Sequence, residues 1–84
     1  MAIRITTWTV GETTTVLVEG RLDASEMADL RRVCRAAKPP LCLDLAGLQS
    51  ADDEGVRLLN SLSEQGVELR GPSAYIRQLL GVVT

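Results

Sequence analysis

The stretch "LCLDLAGLQSADDEGVRLL", residues 41–59, decides how this chain is read. It opens as a short, nearly all-apolar run behind two prolines, the pattern of a buried central strand with a parallel neighbour. It closes inside a helix covering about 53–65, in which Val56, Leu59 and Leu62 face the core and Gly66 serves as a left-handed cap. Asp52, Asp53 and Glu54 stand at the junction. Three readings of these carboxylates are open. The first is capping: a helix N-terminus has unpaired N–H groups and partial positive charge, and each nearby carboxylate stabilises it by ~0.3–1 kcal/mol. The second is a metal or phosphoryl site, because clustered carboxylates hold Mg²⁺ together with waters and a ligand phosphate. Against it, the chain has no Gly-rich phosphate loop and no P-loop lysine. The third is the remnant of a regulatory switch.

Working outward, "IRITTWTVG" alternates Ile3 and Ile5 with polar residues and reads as a half-buried strand. Gly11 and Glu12 supply a turn, and "TTTVLVEGRL" follows as the second strand of a hairpin that ends or bends at Gly20. In "DASEMADLRRVCRAAK", Met27, Leu30, Val33, Cys34 and Ala37 recur at helical spacing, and Asp23 with Glu26 resembles a capping box. "KPP" at 38–40 stops that helix. "VELRG" is a further strand, and Pro72 and Ser73 start a third helix with Ile76, Leu79 and Leu80 inward. The expected fold is α/β, in the order β-β-α-β-α-β-α, with a mixed sheet because the early hairpin is antiparallel. The strand–helix–strand unit from 41 to 70 is expected to be a right-handed crossover.

Eighty-four residues suit one domain, spanning 1–84. Hydrophobic residues at 45% and charged residues at 24% place the chain among globular rather than disordered proteins. With one Trp, one Tyr and no Phe, the core must be aliphatic. The net charge is −2 and the basic residues are spread out, so no positive surface for nucleic acid is expected. Arg31, Arg32 and Arg35 share a helix with Glu26 and Asp29, which reads as a solvated face. No apolar run approaches the ~20 residues of a membrane-spanning helix, and "MAIRITTWTV" lacks a signal peptide's apolar segment, so a cytoplasmic location is expected without membrane insertion. Cys34 and Cys42 sit at apolar positions without CxxC spacing and read as buried, reduced core residues; no metal site and no cofactor are expected. Catalysis is not expected either: there is no histidine, no cysteine with a recognisable base and no serine in a nucleophile elbow.

The run Asp44-Leu45-Ala46-Gly47-Leu48, followed by Asp52, Gly55, Val56, Leu58 and Leu59, resembles the signature of STAS domains, the sulfate transporter and anti-sigma factor antagonist modules. "VEGRLDA" at 18–24 resembles the family segment that opens its first helix, and "SEQGVELRGPSAYIRQLLGV" resembles the stretch that closes the fold. The resemblance implies a STAS-like mixed sheet with helices packed on it. It also implies a protein–protein interaction module whose contact surface runs from Gly47 to Gly55, with Ser50, Asp52, Asp53 and Glu54 in it. Arg57 and Asn60 would lie one and two turns on, and Asp23 and Ala24 would flank it. The implied partner is an anti-sigma factor or serine kinase of the partner-switching type.

Two departures stand out. In antagonists of this family the residue after the motif aspartate is a serine that the partner kinase phosphorylates, which releases the partner; here it is Asp53, with no hydroxyl and about one permanent charge against roughly −1.5 to −2 for phosphate. Ser50 is the nearest upstream hydroxyl but is not at the phosphoacceptor position. The second departure is length, since family members continue with a further strand and helix where this chain reads as a truncated C-terminus ending in "GVVT". Either the domain is minimal, or a second copy supplies the cover with Val82 and Val83 pairing as a short strand, giving a homo-oligomer. The alternatives to an interaction module are a small-ligand sensor and a structural homo-oligomeric subunit. The scarcity of aromatics argues against a flavin or haem pocket.

Overall fold

The computed structural model describes residues 3–81, and the expected pairing of Val82 and Val83 lies outside them. The chain runs β1 (Ile3–Val10), β2 (Thr13–Leu22), a 3₁₀ turn (Ala24–Glu26), α1 (Met27–Ala36), β3 (Leu41–Asp44), β4 (Leu48–Ala51), α2 (Asp53–Glu64), β5 (Glu68–Arg70) and α3 (Ala74–Leu79). The five strands form one mixed sheet in the order β1-β2-β3-β5, with β4 also paired to β2. β1 and β2 are the antiparallel hairpin read from the sequence. Val10 opposes Thr13 across the two-residue turn, and Gly11 takes the left-handed φ of 61° that such a turn needs. β3 is parallel to both β2 and β5.

One strand was not expected. The order β-β-α-β-α-β-α omits β4, because "LQSA" has one large apolar residue and no alternation to mark it. Its pairing comes from β2, which spans the full stretch expected: Gly20 bends the strand without ending it, and β2 continues through a register shift at Gly20/Arg21 to Leu22. β2 therefore offers Thr14–Leu17 to β3 and Gly20–Leu22 to β4 along the same edge. The turn between β3 and β4 keeps the ladder bonded, with the Gly20 N–H donating to the Gly47 carbonyl at 3.0 Å.

The core lies on one face of the sheet. Ile5, Val18, Val16, Leu43 and Leu69 share that face by register, and Leu30 of α1, Leu59 of α2 and Ile76 of α3 pack into the same cluster. All three helices thus cover one side, as their apolar stripes require. α2 ends in a Schellman motif: Gly66 at φ 98° donates to Ser63 and Val67 donates to Leu62, at 3.1 and 3.0 Å. Ser73 caps α3 by accepting the Ile76 N–H at 3.2 Å. At the start of α1 the expected capping box is replaced. Asp23 caps the 3₁₀ turn through Ser25 instead, and Glu26 is buried rather than turned back to the Asp23 N–H.

Cys42 is fully buried, whereas Cys34 is only half-buried. Burial pushes both thiols above their ordinary range, and for Cys42 the neighbouring Arg70 opposes that rise in part. Both therefore hold their protons at neutral pH. A folded thiol whose pKa is raised keeps its proton after the unfolded chain has lost it, so its stabilising effect is complete below the unfolded pKa of ~8.5 and fades as pH rises toward the folded value. Urea unfolding from pH 8 to 10 is expected to show stability falling more steeply in the wild type than in Cys42→Ala; equal slopes would show that the Cys42 thiol takes no part.

Candidate partner-binding site

The end of β2 and the start of α2 are fitted to each other residue by residue. The Asp52 N–H donates to the Leu22 carbonyl at 3.0 Å, which places the residue before α2 beside the last residue of β2. Asp52 then sits in extended backbone as the N-cap, and its Oδ1 accepts the Gly55 N–H at 2.8 Å. Its Oδ2 reaches across the fold and accepts the Ala24 N–H at 3.0 Å. One carboxylate therefore satisfies a donor in α2 and a donor in the 3₁₀ turn, the latter 28 residues from Asp52 in sequence. Within that turn the Asp23 carboxylate accepts from the Ser25 N–H at 3.0 Å and from the Ser25 hydroxyl at 2.6 Å.

Gly55 explains itself by exclusion. A Cβ there would stand 2.8 Å from the Leu22 carbonyl oxygen and 3.1 and 3.2 Å from the Leu22 Cγ and Ala51 Cβ. The nearest atom is backbone and cannot rotate aside, so the first turn of α2 approaches β2 as closely as it does only because residue 55 has no side chain.

With Asp52 bound in this way, the carboxylates at the junction have separate surroundings. Asp53 and Glu54 occupy the exposed first turn of α2, where the helix's partial positive charge favours them. Glu54 meets Arg57 at 3.3 Å in a solvent-exposed pair that contributes little to stability. Among the described residues no group of three or more His, Cys, Asp or Glu is placed to hold a metal ion. Capping accounts for Asp52 fully, and the exposed charge of Asp53 is left over from it.

The structure brings Asp23, Ala24, Asp52 and Gly55 together and places Asp53 and Glu54 beside them. Ser50 is half-buried in β4, in register with Arg21 of β2, and so belongs to the sheet rather than to the helix start. Arg57 stands one turn along α2, where it pairs with Glu54. It lines a groove of about 530 Å³ between α1 and α2, which Arg31 and Arg35 also line over a floor that includes Leu41 and Leu62. Asn60 is half-buried further along the helix. The role of the Ala24 N–H escaped the sequence reading, since a backbone donor leaves no residue-type signal.

The family model described as Mlab, STAS domain matches residues 5–83. The chain belongs to the STAS family. A search of curated proteins finds no match. The STAS motif residues Asp52 and Gly55 are the two that seat α2 on β2, so in this chain the signature has a structural cause. Among the described residues no helix is long and apolar enough to cross a membrane.

Asp52→Ala removes both acceptors and is expected to cost about 0.5–2 kcal/mol in urea unfolding, while Asp52→Asn, which keeps one good acceptor, costs less. Gly55→Ala is expected to destabilise by about 1–3 kcal/mol, even though alanine is the better helix former by ~1 kcal/mol. A stabilised Gly55→Ala would contradict the close seating of α2.

Proposed function

We propose that the chain is a single, non-catalytic protein-interaction domain whose contact surface is the ridge formed by Asp23, Ala24, Asp52, Asp53, Glu54 and Gly55. The observation that supports this reading is the Asp52 carboxylate, which ties the 3₁₀ turn to the first turn of α2. The tie fixes a short acidic ridge in which Asp53 and Glu54 are exposed. A preorganised, charged surface of this kind suits a partner that offers basic side chains, because complementary charge guides encounter and fixes register. Ser50, Arg57 and Asn60 flank the ridge rather than form it.

STAS membership supports an anti-sigma factor antagonist-like role, and the partner this role calls for is an anti-sigma factor or serine kinase, met in the cytoplasm. Asp53 stands where antagonists of the family carry the phosphorylated serine. It gives the ridge a permanent negative charge, so partner binding is constitutive and not released by phosphorylation at this position.

Affinity capture from host lysate, read by mass spectrometry, tests the proposal with the wild type, Asp53→Ser and Asp53→Lys. The expected result is an ATP-binding kinase or its phosphatase with the wild type, at least tenfold loss with Asp53→Lys, and phosphate incorporation only in Asp53→Ser. Equal recovery by all three would remove Asp53 from the interface. Recovery of no partner would favour a ligand-binding or homo-oligomeric role, for which the arginine-lined groove between α1 and α2 is the first place to look.

A further inference from the structure

β1 is the end strand of the sheet, and among the described residues nothing pairs with its outer edge. It is eight residues long, "IRITTWTV", with no Pro, Gly or Lys and with Arg4 as its one charge. Proteins usually blunt an edge of this length with charges, prolines or bulges, because unpaired backbone groups there recruit another strand.

The backbone groups that face outward follow from β2. The N–H groups of Thr14 and Gly20 donate to Pro40 and Gly47, each at 3.0 Å and on the side of β2 away from β1. Alternation along the strand then turns Thr15, Leu17 and Glu19 toward β1, where they oppose Trp8, Thr6 and Arg4. Those three β1 residues spend their backbone groups on β2. Ile3, Ile5, Thr7 and Thr9 direct theirs outward.

We infer that a second copy of this chain docks on that edge, β1 against β1, antiparallel about a two-fold axis passing through Thr6. Symmetry and hydrogen bonding together select the register. In an antiparallel ladder the outward-facing residues must oppose one another. With the axis at Thr6, Ile3 opposes Thr9 of the second copy and Ile5 opposes its Thr7, so every outward residue of the described strand is paired. Moving the axis to Ile5 or to Thr7 leaves an outward residue without an opposite number in β1. The Thr6 axis also sets Arg4 opposite Trp8 of the second copy in a non-hydrogen-bonded pair, where side chains stand closest. Trp8 is 39% exposed on that face, and Arg4 is exposed and belongs to none of the ion pairs among the described residues. A guanidinium over an indole is the favourable partner for each, and the two-fold makes the contact twice. This surface is separate from the acidic ridge, so the inference stands whether or not the proposed partner binds.

The axis makes the inference testable at a single residue. Non-hydrogen-bonded partners lie ~4.5 Å apart between Cα atoms, within the range a disulfide spans. Under mild oxidation Thr6→Cys is expected to form a covalent dimer across the axis. Thr7→Cys, which faces Ile5 instead of its own copy, is expected not to, nor is the wild type with its Cys34 and Cys42 treated in the same way. In sedimentation equilibrium the wild type is expected to show twice the 9.1 kDa chain mass, and Thr6→Lys, which sets two ammonium groups face to face, a single chain mass. A wild type that stays at one chain mass up to hundreds of micromolar would overturn the inference. So would a dimer that survives Thr6→Lys, or cross-linking through Thr7→Cys in preference to Thr6→Cys.

Discussion

The first turn of α2 is held against the end of β2 by contacts that leave little freedom. The Asp52 N–H is bonded to Leu22, its carboxylate is divided between Gly55 and Ala24, and residue 55 has no Cβ because the Leu22 carbonyl occupies that space. Much of the candidate site follows from this seating. It brings the 3₁₀ turn and the helix start, distant in sequence, into one ridge, and it leaves Asp53 and Glu54 exposed on that ridge. Hydrogen bonds to a charged acceptor are stronger than neutral ones, so a single aspartate suffices to join two elements that share few other polar contacts.

The seating depends in turn on β2. This strand is paired along both edges: β1 on one side, and β3 and then β4 on the other. By continuing to Leu22 it carries its last carbonyl to the place where α2 must begin. β4 consumes the final backbone groups of that edge and delivers the chain to Asp52. The helices cover the opposite requirement, burying Leu30, Leu59 and Ile76 against one face of the sheet in a core that is aliphatic apart from Met27.

Much of this was legible in the sequence because it rests on strong local signals. Two prolines before "LCLDL", a glycine turn before "TTTVLV", and Ser73 and Gly66 at helix ends each mark a boundary by a physical restriction on the backbone. The capping reading of Asp52 was sound for the same reason. β4 was not legible: "LQSA" becomes a strand only because an unusually long β2 offers it an edge, which is information held elsewhere in the chain. The same holds for the second bond of Asp52, whose donor is a backbone group, and for Arg57, which pairs with Glu54 and also lines the groove with Arg31 and Arg35. Local pattern thus supplied the candidate residues, and tertiary pairing decided which of them share a surface.

The contact from Asp52 to Ala24 is the link on which the account turns, and amide hydrogen exchange followed by NMR reads it directly. The Ala24 amide is predicted to be protected in the wild type and to exchange much faster in Asp52→Ala, while the amides of Leu43 in β3 and Leu59 in α2 keep their protection. An Ala24 amide that exchanges at the same rate in both proteins would contradict the account, because the two turns would then not be joined through this carboxylate.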